Sequence, residues 1–169
     1  MELIFIPMKN IIGFNIAWFG LVYWGNAFIP IALLMLSAHL LFFIKSYKEI
    51  FFILLISVIG IYIDSLLQYF DFFIFSEDVH IPFWLMLLWA SFATTISHSL
   101  QFLRLSIWLQ ILAGLFAPLS YIAGHQFEAV SFGQPIITTY FVLSLIWASL
   151  FVLFFKLQLF FIGKEVNYD

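Results

Sequence analysis

Apolar segments long enough to cross a lipid bilayer follow one another along this chain with only short polar connections, and that succession restricts the fold more than any single residue. A spanning helix takes roughly 20 mostly apolar residues, and it satisfies its backbone hydrogen bonds internally where no water can. Six such segments can be placed, at about residues 10–26, 28–44, 50–70, 82–101, 105–123 and 136–156 of the 169. They leave no room for a separate soluble domain. Composition agrees, with 65% hydrophobic and 9% charged residues, against about 45–50% and about 25% in soluble domains. Mean hydropathy is +1.14. The expected fold is all-α: one polytopic membrane bundle of six transmembrane helices over residues 1–169.

The placement of charge orients that bundle. Lys9, Lys45, Lys48, Arg104, Lys156 and Lys164 all fall on one side of a six-span alternation, whereas the opposite connections carry Asp71, Glu77, Asp78 and Glu128. Orientation follows Lys and Arg, which collect on the cytoplasmic side. Both termini are therefore expected to be cytoplasmic. The start, MELIFIPMKN, lacks the basic region and cleavage site of a signal peptide. It is expected to be retained and to lie in the interface. The first two segments are short, and they read either as a tight hairpin or as a partly re-entrant pair. The hairpin is favoured because it matches the Lys9 and Lys45 ends. Several of the six Trp, at positions 18, 24, 84, 89, 108 and 147, fall near segment ends and read as interfacial anchors.

Polar groups in hydrocarbon usually face other helices, so their spacing marks the interior. Ser57, Gly60, Asp64 and Gln68 share one face of the third segment. Ser91, Thr94, His98 and Gln101 do so on the fourth, and Gln110, Gly114, Pro118 and Tyr121 on the fifth. The sixth has only scattered Thr138, Thr139, Ser144 and Ser149, which are expected to bond to their own helix. Helices three, four and five should therefore form the centre, with the sixth more peripheral.

An intramembrane carboxylate costs roughly 2.5–3.5 kcal/mol even on insertion scales and marks a candidate functional site. Asp64 is that residue here, as a proton carrier, a base or a counter-charge, or else as a hydrogen-bonded tie through Gln68 or Tyr121. His39 and His98 suggest a metal site with it, since imidazole and carboxylate suit zinc or iron. Depth argues otherwise. At about 1.5 Å per residue, the histidines lie near one end of their helices and Asp64 below the other, roughly 12 Å or more apart. Two clusters follow: Asn15, His39, Thr94, His98 and Gln101 on the cytoplasmic side, and Asp64, Gln68 and Tyr121 on the outer side. No metal and no cofactor is expected; a haem held by His39 and His98 is the alternative. His80 and His125, beside Asp78 and Glu128, are expected in solvated loops.

Cysteine chemistry is excluded and several enzyme classes are weakened. Without Cys there is no thiolate chemistry. Four scattered His are too few for a membrane desaturase, and Ser97-His98-Ser99 places neighbours on different helix faces rather than in a dyad. There is no HExxH, no P-loop and no dinucleotide fingerprint, and no basic surface for nucleic acid.

Three stretches, NIIGFNIAWFGLVY from Asn10, PFWLMLLWASFATTISHSL from Pro82 and GLFAPLSYIAG from Gly114, together with IDSLL at Ile63, resemble a small uncharacterised bacterial inner-membrane family known as a domain of unknown function. The resemblance departs at Ala117, where Gly is expected before Pro118, and at Glu128-Ala129, where a Gly-Ala pair is expected. It implies a bacterial inner-membrane location. Its members look like companions of genes for fatty-acid modification and flavin-dependent oxidation, which points to membrane-lipid metabolism. Matching positions include Asn15, Asp64, Thr94, Thr95, His98, Ser120 and Tyr121. The expected role is binding or helping to process a membrane lipid or other apolar substrate. The catalytic candidates are Asp64, His98 and Tyr121, and Asn15, His39, Gln68, Thr94, Thr95, Gln101 and Ser120 line the interior. Alternatives are an accessory subunit with a membrane-protein partner, and a proton-coupled carrier using Asp64.

Overall fold

The computed structural model describes residues 2–44, 46–75 and 80–163. Lys45, Lys164, Glu77 and Asp78 lie outside them. Helices α1 (Glu2–Trp24), α2 (Ile29–Phe43), α3 (Tyr47–Tyr69), α4 (Phe83–Ser97), α5 (Ile107–Phe116), α6 (Leu119–Gln126) and α7 (Ile136–Phe161) follow in order. Among the described residues, four stretches are long and apolar enough to span a bilayer: Ile6–Phe43, Tyr47–Tyr69, Ile107–Gln126 and Ile136–Phe161. The exterior is apolar, with Leu105 83% and Phe160 80% exposed. Water would not tolerate so continuous a patch.

Helix α1 begins at Glu2, so the initial run belongs to the first helix instead of forming a separate interfacial segment. The chain turns at Gly25–Phe28, where Gly25 takes a left-handed φ of +55°, a conformation that costs glycine nothing. Pro30 then sits in the first turn of α2, where no donor is lost. Lys9 Nζ lies 6.0 Å from the Phe43 ring centre, so the far ends of α1 and α2 meet as a hairpin. The turn also supports α4. Pro82 at that helix's N-cap has no side-chain acceptor, and Asn26 Oδ1 takes the Trp84 N–H at 3.2 Å. Helices α3 and α5 cap themselves with Ser46 and Ser106.

Helix α4 is the hub, touching α1, α2, α3 and α7. Helix α7 is not peripheral. Thr139, Leu143, Trp147, Phe151, Phe154 and Gln158 are buried down one of its faces, and the backbone of Ala148 lies so close to Gly114 of α5 that a Cβ there would overlap it. Ser144 and Tyr140 also reach across, donating to the Leu115 carbonyl at 3.3 and 2.9 Å. That carbonyl lies just before the break at Pro118 that divides α5 from α6. Gln158 Nε2 likewise donates to Ile96 O at the end of α4, 3.1 Å away. In lipid, backbone groups freed at helix ends and breaks need such partners.

The connections that follow α3 and α6 are not simply solvated loops. Strands β1 (Phe73–Ile74) and β2 (Ser131–Phe132) pair antiparallel, Phe73 opposite Phe132, a short exception to the all-α expectation. Phe73, Phe75, Ile81 and Val130 are buried beneath them. His125 is absorbed here, with Nδ1 2.9 Å from Val130 O and its ring stacked on Phe132. Glu128 holds a left-handed φ of +61°, a strain of roughly 1–2 kcal/mol that glycine would avoid. This is where the family resemblance leads one to expect Gly.

Candidate functional site

On α3, Gly60 and Asp64 stand one turn apart, and the missing side chain at Gly60 leaves the space Trp89 of α4 fills; a Cβ at Gly60 would overlap the indole. Seated there, Trp89 donates its Nε1–H to Asp64 Oδ2 at 2.6 Å. Tyr121 of α6 donates its hydroxyl to the same carboxyl, 3.1 Å from Oδ1 and 3.4 Å from Oδ2. Asp64 is 0% exposed. Buried polar atoms need such partners, and here both come from aromatic rings. Trp89 stacks on Trp147 of α7 at 5.2 Å and 8°, and Tyr121 stacks on Phe73 of the loop cap at 5.1 Å.

Trp89 and Tyr121 also border a cavity of about 390 Å³ lined mainly from α1, α4 and α6. Trp18, Trp84, Phe92 and Trp147 also line it, together with aliphatic side chains such as Leu85 and Val130, and Asn15 and Ser120 are its polar points. Ser120 also bonds to the Ala117 carbonyl. Asp64 is not part of the wall. It lies behind Trp89 and Tyr121, so it can set the electrostatics of the cavity without touching what enters.

A second cluster lies where α2 ends and α3 begins. His98 Nε2 is 3.0 Å from Glu49 Oε1, and the His39 and His98 rings meet edge to face at 4.9 Å. A haem ligated by both would need its plane between two imidazoles that are already in contact. Asn10 Nδ2 donates to Thr94 Oγ1 at 2.9 Å, and Ser99 Oγ donates to Asn10 Oδ1 at 2.7 Å. Lys9, Asn10, His39 and Thr94 line a smaller hollow of about 250 Å³. His98 is nine residues beyond Trp89 on or just past α4, about 13 Å of helical rise. Asp64 and the histidines therefore occupy separate sites. Among the described residues, no group of three or more His, Asp or Glu is arranged to hold a metal.

The structure redistributes several expected residues. Asn15 is exposed, bonds to Ile11 O at 2.7 Å and borders the aromatic cavity; Asn10 takes the place expected for it beside Thr94. Thr95 is buried and bonds within α4 to Phe92 O. Gln101 is half-buried at the start of a 3-10 turn, and Gln68 is half-buried one turn beyond Asp64. Trp84, Trp89 and Trp147 are core residues rather than interfacial anchors, unlike the exposed Trp24 and Trp108. Sequence reasoning missed Asn10, Glu49 and Trp89. The signal for Trp89 was present in Gly60, since a small residue one turn from a buried acid leaves room for a large donor.

Helices of spanning length, an apolar exterior and inward-facing polar groups fit a multi-pass membrane protein. Residues 7–153 match the family described as "Protein of unknown function (DUF2878)". The chain belongs to that family. Comparison with curated proteins returned no match, and comparison with solved structures returned none.

Proposed function

We propose that the protein binds an apolar ligand drawn from the membrane, such as a lipid chain, in the cavity bounded by Trp18, Trp84, Trp89 and Tyr121. The observation that carries this reading is the cavity itself. Its volume of about 390 Å³ falls within the roughly 300–1,000 Å³ of small-ligand sites, which are likewise mostly apolar with a few placed polar groups. Native mass spectrometry of protein purified in mild detergent should find retained lipid. Ala117→Trp, which puts a ring into the cavity from the α5–α6 break, should lose it. Equal retention by both proteins would show that the lipid sits elsewhere.

The proposed setting is the bacterial inner membrane, crossed six times with both termini cytoplasmic. Supporting this are the hairpin of α1 with α2 and the one-sided Lys and Arg residues. Reporter fusions after Glu165 and within the Asp71–Ile81 connection should report opposite compartments; the same compartment for both would overturn the topology.

A further inference from the structure

Trp18, Trp84, Trp89, Trp147, Phe92 and Tyr121 bring aromatic rings, with their edges and faces, to the lining of the cavity, beside aliphatic residues such as Leu85 and Val130. Such faces carry the negative part of the ring quadrupole and attract cations, tryptophan most strongly. Two of these rings are further biased. Trp89 and Tyr121 each donate their polar hydrogen to the Asp64 carboxyl, at 2.6 and 3.1 Å, and a donor bonded to a carboxylate is polarised along the bond. Electron density moves into two of the rings that border the cavity. The wall is also held in place: Phe92 meets Trp89 and Trp147 edge to face, at 5.6 and 5.2 Å.

A neutral apolar ligand would gain nothing from a carboxyl buried behind those rings, although that burial is costly. A primary ammonium would bring three N–H donors into a wall whose polar groups are few, stranding some of them. A quaternary ammonium has no N–H to satisfy. Among the described residues lining the cavity there is also no Lys or Arg to repel it.

We propose that this cavity recognises a quaternary ammonium group carried on an apolar chain, held by the rings of Trp18, Trp84 and Tyr121, with Asp64 behind Tyr121 and Trp89 as the acceptor that polarises them. The proposal rests on the apolar-ligand reading above and specifies the ligand's headgroup. The same chemistry is offered by the choline headgroup of a lipid and by a free alkylammonium.

The test titrates the purified full-length protein in dodecyl maltoside with dodecyltrimethylammonium and with its uncharged carbon isostere, 2,2-dimethyltetradecane, at equal mole fraction in the micelle, reading tryptophan fluorescence. The ammonium should bind on the order of tenfold more tightly than the isostere. Asp64→Asn should shrink that preference to about threefold or less. Tyr121→Phe, which keeps the ring and removes one bond to Asp64, should reduce it in the same direction and serves if Asp64→Asn does not fold. Equal affinity for the two probes in the wild type would overturn the proposal and leave the apolar-ligand reading standing. Binding of neither would overturn both. A preference unchanged in both variants would also overturn it, because the polarised rings would then play no part. Retention of phosphatidylcholine over phosphatidylglycerol from mixed-lipid nanodiscs would support the proposal with a lipid as the source. Binding of the free ammonium without that retention would support it with a soluble amphiphile as the source.

Discussion

Gly114→Leu should lower the melting temperature in detergent by roughly 2–12 °C, and no trimming of the facing side chain should restore it. A Cβ at Gly114 meets main-chain atoms, the Cα and N of Ala148 and the carbonyl carbon of Trp147. Helix α5 would have to lift from α7, and overpacking of this kind typically costs about 1–3 kcal/mol, with about 2–4 °C of melting temperature per kcal/mol in a chain of this size. Because the obstacle is backbone, adding Ala148→Gly should recover little. Gly60→Ala provides the contrast, since its Cβ would meet the Trp89 ring, and it should cost much less in a Trp89→Leu background than in the wild type. Circular dichroism melts of Gly114→Leu, Gly60→Ala, Trp89→Leu and the two double variants check both statements. Full rescue of Gly114→Leu by Ala148→Gly would show that α5 and α7 are not in backbone contact.

Asp64→Leu should destabilise the bundle by about 2–6 kcal/mol, since it strands the Trp89 N–H and the Tyr121 hydroxyl in the core at about 1–3 kcal/mol each. Asp64→Asn keeps a carbonyl oxygen for one of these donors and should cost less. The cause can be isolated by removing the donors as well. With Trp89→Phe and Tyr121→Phe added to Asp64→Leu, no polar group remains to be stranded, and replacing a satisfied polar cluster by apolar residues can be nearly neutral. Part of the lost stability should return, less the packing area of the indole. Detergent melts would rank wild type above Asp64→Asn above Asp64→Leu. An Asp64→Leu protein that melts with the wild type would show that these bonds contribute nothing to stability.

The polar stripes of α3 and α4 were legible because polar atoms in hydrocarbon seek partners. Ser57, Gly60 and Asp64, like Ser91, Thr94 and His98, are buried. The pairing of Asp64 with Tyr121 and of His39 with His98 followed from depth alone, since a fixed rise per residue converts position in a segment into height. The interior role of α7 was not legible. Both faces of a lipid-bathed helix are apolar, so its buried face, running from Thr139 through Trp147 to Gln158, shows no contrast with the exposed one. Asn15 and Asn10 show a similar limit. They are five residues apart on one helix, and only the rotation of α1 against α4 selects Asn10 to meet Thr94 and Ser99.

The amino-acid sequence by itself determined the helical class, the apolar exterior and the separation of the carboxyl from the histidines, because each depends on composition or on distance along one helix. Tertiary structure decided which aromatic rings hold Asp64, that the connections after α3 and α6 pair as a cap, and that the rings holding Asp64 also border a cavity. Those outcomes depend on where separate helices approach, and close approach was set by Gly60 and Gly114, whose missing side chains acquire meaning only opposite Trp89 and Ala148.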